Sequence, residues 1–159
     1  MSAQPTLEQA LVRELALQFK DQVKASSSKP KRFKVTVNTG DLVKFAEYLR
    51  HKMGFDHVHT VSGTDYPKEG VIEVVYHIGS YSRMDLRNIV GSLATKVPRD
   101  APTLPSLIGI WNSCEYHERE THEMLGVVFV GHPNLTRLLL PEDWSDIPPL
   151  RKDFALPGR

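Results

Sequence analysis

The chain has 159 residues, and at 40% hydrophobic it has the material for one domain with its own core. A globular chain near that length buries roughly 70% of its unfolded surface, enough to build a core without disulfides or structural metals. Lone Cys114 excludes an internal disulfide framework, a cysteine-only zinc site and a self-contained iron–sulfur cluster, and the net charge of +1 argues against a phosphate backbone as main partner.

Pro5 and Thr6 open a helix predicted over residues 6–24, where Leu7, Leu11, Leu15 and Phe19 recur at four-residue spacing between charged positions. Glu8, Arg13 and Glu14 within it fit neither a secretory nor a transit peptide, which predicts a chain made and kept on the inside, or one whose transit piece is already gone. Residues 25–32, with three serines, Pro30 and several basic residues, read as a flexible connector rather than a patch for anionic lipid or nucleic acid. Residues 33–37 alternate as a half-buried strand. Asp41 begins a helix with Leu42, Phe45, Ala46 and Leu49 on one face, stopped by Gly54. Residues 55–64 and 71–79 predict two strands joined by a turn-rich link. In residues 84–97 the β-branched residues and Gly91 outweigh the helical spacing of Leu86, Ile89, Val90 and Leu93 and favour a strand.

Pro98, Pro102 and Pro105 then mark a stretch without regular structure. Residues 106–125 predict another helical region, ended by Gly126. Beyond it, five prolines break up Leu135 and Leu138 to Leu140, a pattern suited to lying on something else rather than to self-burial. The densest apolar runs, 107–111 and 127–130, fall far short of the roughly 18 to 20 residues that span a bilayer. The expected architecture is α+β: a small mixed or antiparallel sheet with flanking helices in residues 1–125, and an extended, irregular docking segment in residues 126–159. Charge divides too, +5 through Lys52 and −4 from Met53 onward, which predicts different partners for the two parts.

Ionisable groups crowd most densely at His117-Glu118-Arg119-Glu120-Thr121-His122-Glu123. A zinc-protease motif needs histidines four apart, so that both return to one helix face. Here they are five apart, a rotation of about 140°, and one metal cannot take both. Glu118 and His122 share a face, but two ligands make no site, and His57 with His59 lacks a third. Acid–base work by Glu118 or Glu120 would need unlike environments for the two carboxylates. The better reading is a helix laced with ion pairs, Glu115 to Arg119 and Arg119 to Glu123, inside the chain or across a subunit boundary. Cys114 reads as a small buried hydrophobe rather than a nucleophile. Phosphate-binding loops and a nucleophile elbow are missing, which leaves a binding or assembly protein.

Several motifs are familiar in order and spacing: Glu118-Arg119-Glu120, Met124-Leu125-Gly126, Gly131-His132-Pro133-Asn134-Leu135, Arg137-Leu138-Leu139, Pro141-Glu142-Asp143-Trp144 and Pro149-Leu150-Arg151-Lys152-Asp153-Phe154. Over about residues 105–154 the chain resembles the 30 kDa subunit family of respiratory complex I, the NADH-quinone oxidoreductase. It departs from that family at Glu123, where Asp is usual, and at Ser145-Asp146-Ile147-Pro148, which resembles relatives in archaeal deazaflavin-dependent dehydrogenases and membrane-bound hydrogenases.

The resemblance implies a non-catalytic subunit in the peripheral arm of a membrane-attached oxidoreductase that delivers electrons to a quinone-type acceptor, coupled to ion translocation. The equivalent subunit of a nickel–iron hydrogenase or formate hydrogenlyase is the alternative, and a stand-alone metal-dependent hydrolase is the rival from another class. The family implies no cofactor in this chain, with the iron–sulfur clusters and the electron-donor cofactor in partner subunits. Its partners would be the large 49 kDa-type subunit and a neighbouring iron–sulfur subunit, with no nucleic acid and membrane contact only through the complex. The place implied is the cytoplasmic face of the cell membrane, or the inner side of an organellar one. Carried over by position, the folding and docking signature is Glu118, Arg119, Glu120, Glu123, Gly126, Gly131, His132, Pro133, Arg137, Arg151, Lys152 and Asp153. Residues 126–159 are then expected to drape over the large subunit, with Arg137, Arg151 and Asp153 pairing at the boundary.

Overall fold

A computed structural model describes residues 5–155. Leu7–Phe19 forms helix α1, which turns Leu11, Leu15 and Phe19 into the core. At its start the Thr6 N–H donates to the Gln9 side chain at 3.2 Å. The helix stops short of residue 24 because Lys20 takes a left-handed φ of 44°, and a 3-10 turn over Lys20–Gln22 leads into strand β1, Val23–Lys29. The connector expected at residues 25–32 is therefore mostly strand. Val23 and Ala25 pack on the core while Lys24 and Ser26 face out, a period of two masked in the sequence by serines and lysines. Such polar residues suit an edge strand, which must not invite further pairing.

β1 turns at Pro30 and Lys31 into β2, Arg32–Val37, its antiparallel neighbour. Leu42–His51 is α2, with Leu42, Phe45, Ala46 and Leu49 buried as the spacing predicts. Phe19 of α1 lies 4.1 Å from Phe45 of α2, ring centre to ring centre, joining the two helices. Three strands follow: β3, His57–Tyr66; β4, Val71–Gly79; and β5, Val90–Pro98. Within residues 84–97, then, the strand begins only at Val90, after a turn-rich link. The sheet runs β1-β2-β5-β4-β3, antiparallel except for the parallel pair β2 and β5, so it is mixed, as expected for this α+β fold.

The proline-marked stretch is not wholly irregular. Thr103–Pro105 forms β6, which pairs in parallel with β7, Val128–Val130, in a second sheet of two strands that buries Leu104 and Phe129. Proline is tolerated at such a short edge because it need not donate to the ladder. Between these strands, residues 106–111 are turns, and the helix expected from residue 106 is confined to a 3-10 turn and α3, Glu115–Leu125. Gly126 ends α3 at φ 77°, with its N–H on the His122 carbonyl at 2.7 Å, a left-handed stop that suits glycine.

Register places Phe33, Val35, Leu93, Tyr76, Val61 and Gly63 on the helix-covered face of the large sheet. The opposite face carries polar cross-strand groups, including Lys34 on Glu73 at 2.7 Å and His77 between Ser62 at 3.0 Å and Ser92 at 3.2 Å. α3 approaches β3 closely at Gly63, where an added Cβ would lie 2.2 Å from the Leu125 methyl and 3.5 Å from that of Thr121. Among the described residues no helix is long and apolar enough to cross a membrane.

Turning the Leu125 tip aside accommodates one methyl at Gly63, but not the two γ-carbons of valine with Thr121 alongside. Gly63→Val is expected to push α3 off the sheet and destabilise the protein by about 1–3 kcal/mol, read as a lower urea midpoint at an unchanged m-value.

Candidate functional site

Successive residues of α3 point in different directions, and the signature divides accordingly. Glu118 faces inward and is fully buried. Its carboxylate accepts from Tyr76 Oη at 2.9 Å, Leu107 N at 2.9 Å, Ser106 Oγ at 2.5 Å and Cys114 Sγ at 3.5 Å. Helix, sheet and the loop after β6 thus meet on one group. Burial, reinforced by Glu118, pushes the Tyr76 phenol well above its usual range and also raises the Cys114 thiol. Cys114 is the small buried group expected, in surroundings that disfavour its nucleophilic thiolate.

The ion-pair ladder expected on α3 does not form: among the described residues Arg119 pairs with neither Glu115 nor Glu123. Instead its guanidinium donates to the Thr136 carbonyl at 3.1 Å, the Thr136 hydroxyl at 3.1 Å and the Arg137 carbonyl at 2.9 Å. Glu123, also buried, accepts three consecutive backbone N–H groups, Leu138 at 3.1 Å, Leu139 at 2.8 Å and Leu140 at 2.8 Å. Burial raises the Glu123 pKa, but the three N–H donors outweigh it, with Arg137 adding to them, and the net shift is downward. Glu120 faces a shallow cavity of about 200 Å³ that it shares with Val61, Met124 and Leu150.

These contacts bind a strap, residues 131–155, that runs back across the chain's own body. Gly131 and Pro133 lie in an exposed turn beyond β7. His132 holds that turn: its Nδ1 accepts from Asn134 N at 3.1 Å, and its Nε2 donates to the Glu115 carbonyl at 3.1 Å. Arg137 folds the strap on itself through the carbonyls of Pro141 at 2.8 Å, Glu142 at 3.0 Å and Trp144. Arg151 Nε donates to the Leu125 carbonyl at 2.8 Å, beside Gly126. Lys152 N donates to Asp65 at 2.9 Å, and Asp153 takes Arg99 at 2.7 Å. Arg137, Arg151 and Asp153, expected to pair at a subunit boundary, are thus engaged inside the chain. Asp65 and Arg99, which no motif pointed to, form a bidentate pair at 2.8 and 3.0 Å with the Asp65 side chain fully buried. Arg99 and the Lys152 N–H hold the Asp65 pKa down against its burial.

Among the described residues no three His, Cys, Asp or Glu gather in a metal-holding group. His57 and His59 share a face, as their spacing predicts, with ring centres 5.3 Å apart, and the Tyr81 ring lies tilted with its centre 4.6 Å from that of His57. Burial, then His59, lowers the His57 pKa.

The α+β body thus uses its buried carboxylates as hydrogen-bond partners for its own backbone and side chains. The model of the respiratory-chain NADH dehydrogenase 30 kDa subunit family matches residues 35–159, and the chain belongs to that family. It is 38% identical over 136 residues to a subunit of the F(420)H(2) dehydrogenase of Methanosarcina mazei, covering 85% of this chain and 84% of that one. It is 41% identical over 125 residues to a subunit of the NADH-quinone oxidoreductase of a Roseiflexus species, covering 77% and 69% respectively. Its fold is similar to a chain of the membrane-bound sulfane sulfur reductase, an archaeal respiratory membrane complex, with a TM-score of 0.79 over 92% of this chain and 85% of that one at 22% identity. A trypsin-resistant fragment of Nqo5 matches at a TM-score of 0.65 and 25% identity, covering 79% of this chain and 98% of the fragment.

Asp65 and Glu123 have depressed pKa values in the folded chain, so the stability they contribute is present above the unfolded carboxylate range near pH 4 and is lost as pH falls through the folded values. The amide resonances of Leu138, Leu139 and Leu140, followed by NMR, should titrate together with a midpoint below about 4.3, the ordinary glutamate value. Glu123→Ala should abolish that titration and destabilise the chain by about 1–3 kcal/mol, because three donors lose their acceptor.

Proposed function

We propose that the chain is a non-catalytic, peripheral-arm subunit of a membrane-attached, complex I-like oxidoreductase that passes electrons to a quinone-type acceptor with coupled ion translocation. It docks on the large 49 kDa-type subunit and a neighbouring iron–sulfur subunit through the outer face of the strap. The carrying observation is the contrast within that strap: its backbone is held inward while Leu138, Leu139, Ile147 and Leu150 stand 38%, 61%, 39% and 57% exposed. Apolar side chains grouped on a fixed segment are what a partner surface covers. An obligate interface of this kind commonly buries more than about 2,000 Å².

The iron–sulfur clusters and the electron-donor cofactor belong, on this reading, to partner subunits, and attachment to the cytoplasmic face of the membrane runs through them. Subunits of this one family serve an F(420)H(2) dehydrogenase and NADH-quinone oxidoreductases, which supports assigning donor choice to other chains.

The double variant Leu139→Asp, Leu150→Asp changes two exposed positions and is expected to leave the chain's own thermal midpoint within about 3 °C of the parent. Copurification of the large subunit with a tagged copy should fall at least about tenfold, since two charges would have to be buried unpaired. Normal recovery of the large subunit would overturn docking through this face.

A further inference from the structure

We infer that Asp65, Arg99 and Glu123 are positioning residues for assembly: they latch the strap in its docking geometry on the free chain before any partner arrives. The inference rests on the docking role proposed above and adds a cause for its affinity.

The latch has two stations. At the first, the Glu123 carboxylate takes the N–H groups of residues 138–140, and Arg119 takes the carbonyls just before them. The second is built around the Asp65–Arg99 pair. Asp65 comes from the end of β3 and Arg99 from just past β5, and between them they hold Lys152 N and the Asp153 carboxylate. Leu150 N, donating to the Met124 carbonyl at 3.0 Å, closes the gap between that station and α3. The exposed Leu138, Leu139, Ile147 and Leu150 lie at or between these anchors, while Asp65 and Glu123 are themselves buried and offer no surface to a partner.

Ordering an irregular segment costs roughly 1–2 kcal/mol of backbone entropy per residue. A strap ordered only upon docking would charge that cost against the interface, whereas a latched one has met it within the chain. The apparent dissociation constant is the intrinsic one divided by the latched fraction, so a variant latched one-tenth of the time binds about tenfold more weakly without losing a contact. Because the docked strap keeps its partner contacts, the loss falls on the association rate and spares the dissociation rate.

The test combines hydrogen exchange on the isolated full-length chain with association kinetics against the subcomplex that normally captures it. Amides of Leu138 to Leu140, Leu150 and Lys152 should be protected in the free parent chain. In Glu123→Gln, whose carboxamide has one acceptor oxygen instead of two, and in Asp65→Asn, protection should be lost at the station concerned. Association should slow about tenfold or more, with dissociation unchanged within about twofold. Asp153→Asn, which removes only the outer, half-exposed carboxylate and leaves Arg99 paired with Asp65, is the milder variant for which folding is secure, and it should act in the same direction. Glu123→Asp, which keeps a carboxylate, should restore part of the association rate lost in Glu123→Gln. Asp85→Asn, on a distant loop, should change neither readout. Unprotected strap amides in the free parent chain would overturn the latch while leaving the docking role standing. A dissociation rate that rises instead, or an association rate unmoved by loss of protection, would overturn positioning. If the paired aspartates at Leu139 and Leu150 leave capture intact while the strap amides stay protected, the docking role fails and takes the positioning role with it, although the strap is latched in the free chain.

Discussion

Backbone without a helix or a ladder has no partner of its own for its N–H and C=O groups, and away from water those groups must be paired. Residues 131–155 contain no helix or strand, yet they run back across the body of the protein. The signature residues answer that constraint. Carboxylates accept the strap's N–H groups, guanidiniums donate to its carbonyls, and glycine with a positive φ ends the helix so that the strap can return beside it. Arg119 and Glu123, two of the charged groups that crowd α3, are therefore partners for strap backbone.

Glu118 applies the same chemistry in the interior. One carboxylate is shared by β4 through Tyr76, by the loop after β6 through Ser106 and Leu107, and by the 3-10 turn that leads into its own helix through Cys114. Among the described residues every buried polar side-chain atom has a partner, so this interior is fully satisfied. A satisfied polar junction fixes one arrangement of its neighbours, because any other leaves a buried group unpaired. The strap is anchored to a helix whose own seat is determined in this way and by the close approach at Gly63.

Much of the fold was legible where a residue's period matched its burial: Leu11, Leu15 and Phe19 on α1, Leu42, Phe45 and Leu49 on α2, and the alternation of β2. β1 escaped because its outward positions are serines and lysines, and an edge strand with so little apolar surface looks like a linker. β6 and β7 escaped because each is three residues long and their pairing joins segments more than twenty residues apart. At the site, the motif marked the α3 residues but not their bonds. Asp65 and Arg99 carried no signal at all, since an Asp in a turn-rich stretch and an Arg after a proline are ordinary singly, and only the fold brings them to Lys152 and Asp153.

The spacing inside the knot follows from helix geometry. Arg119 and Glu123 are one turn apart, which places both on the same side of α3, the arrangement that favours a mutual ion pair. They do not close on each other because the strap passes over both and offers each the complementary half of a peptide group. The cation takes the carbonyls of residues 136 and 137, and the anion takes the N–H groups of residues 138–140. An exposed pair on a helix contributes only about 0.3–0.5 kcal/mol, less than several charge-assisted bonds to backbone. Two side chains four residues apart thus hold residues 136–140 of the strap, while Glu118, about 100° around the helix from Arg119, remains free to face the core.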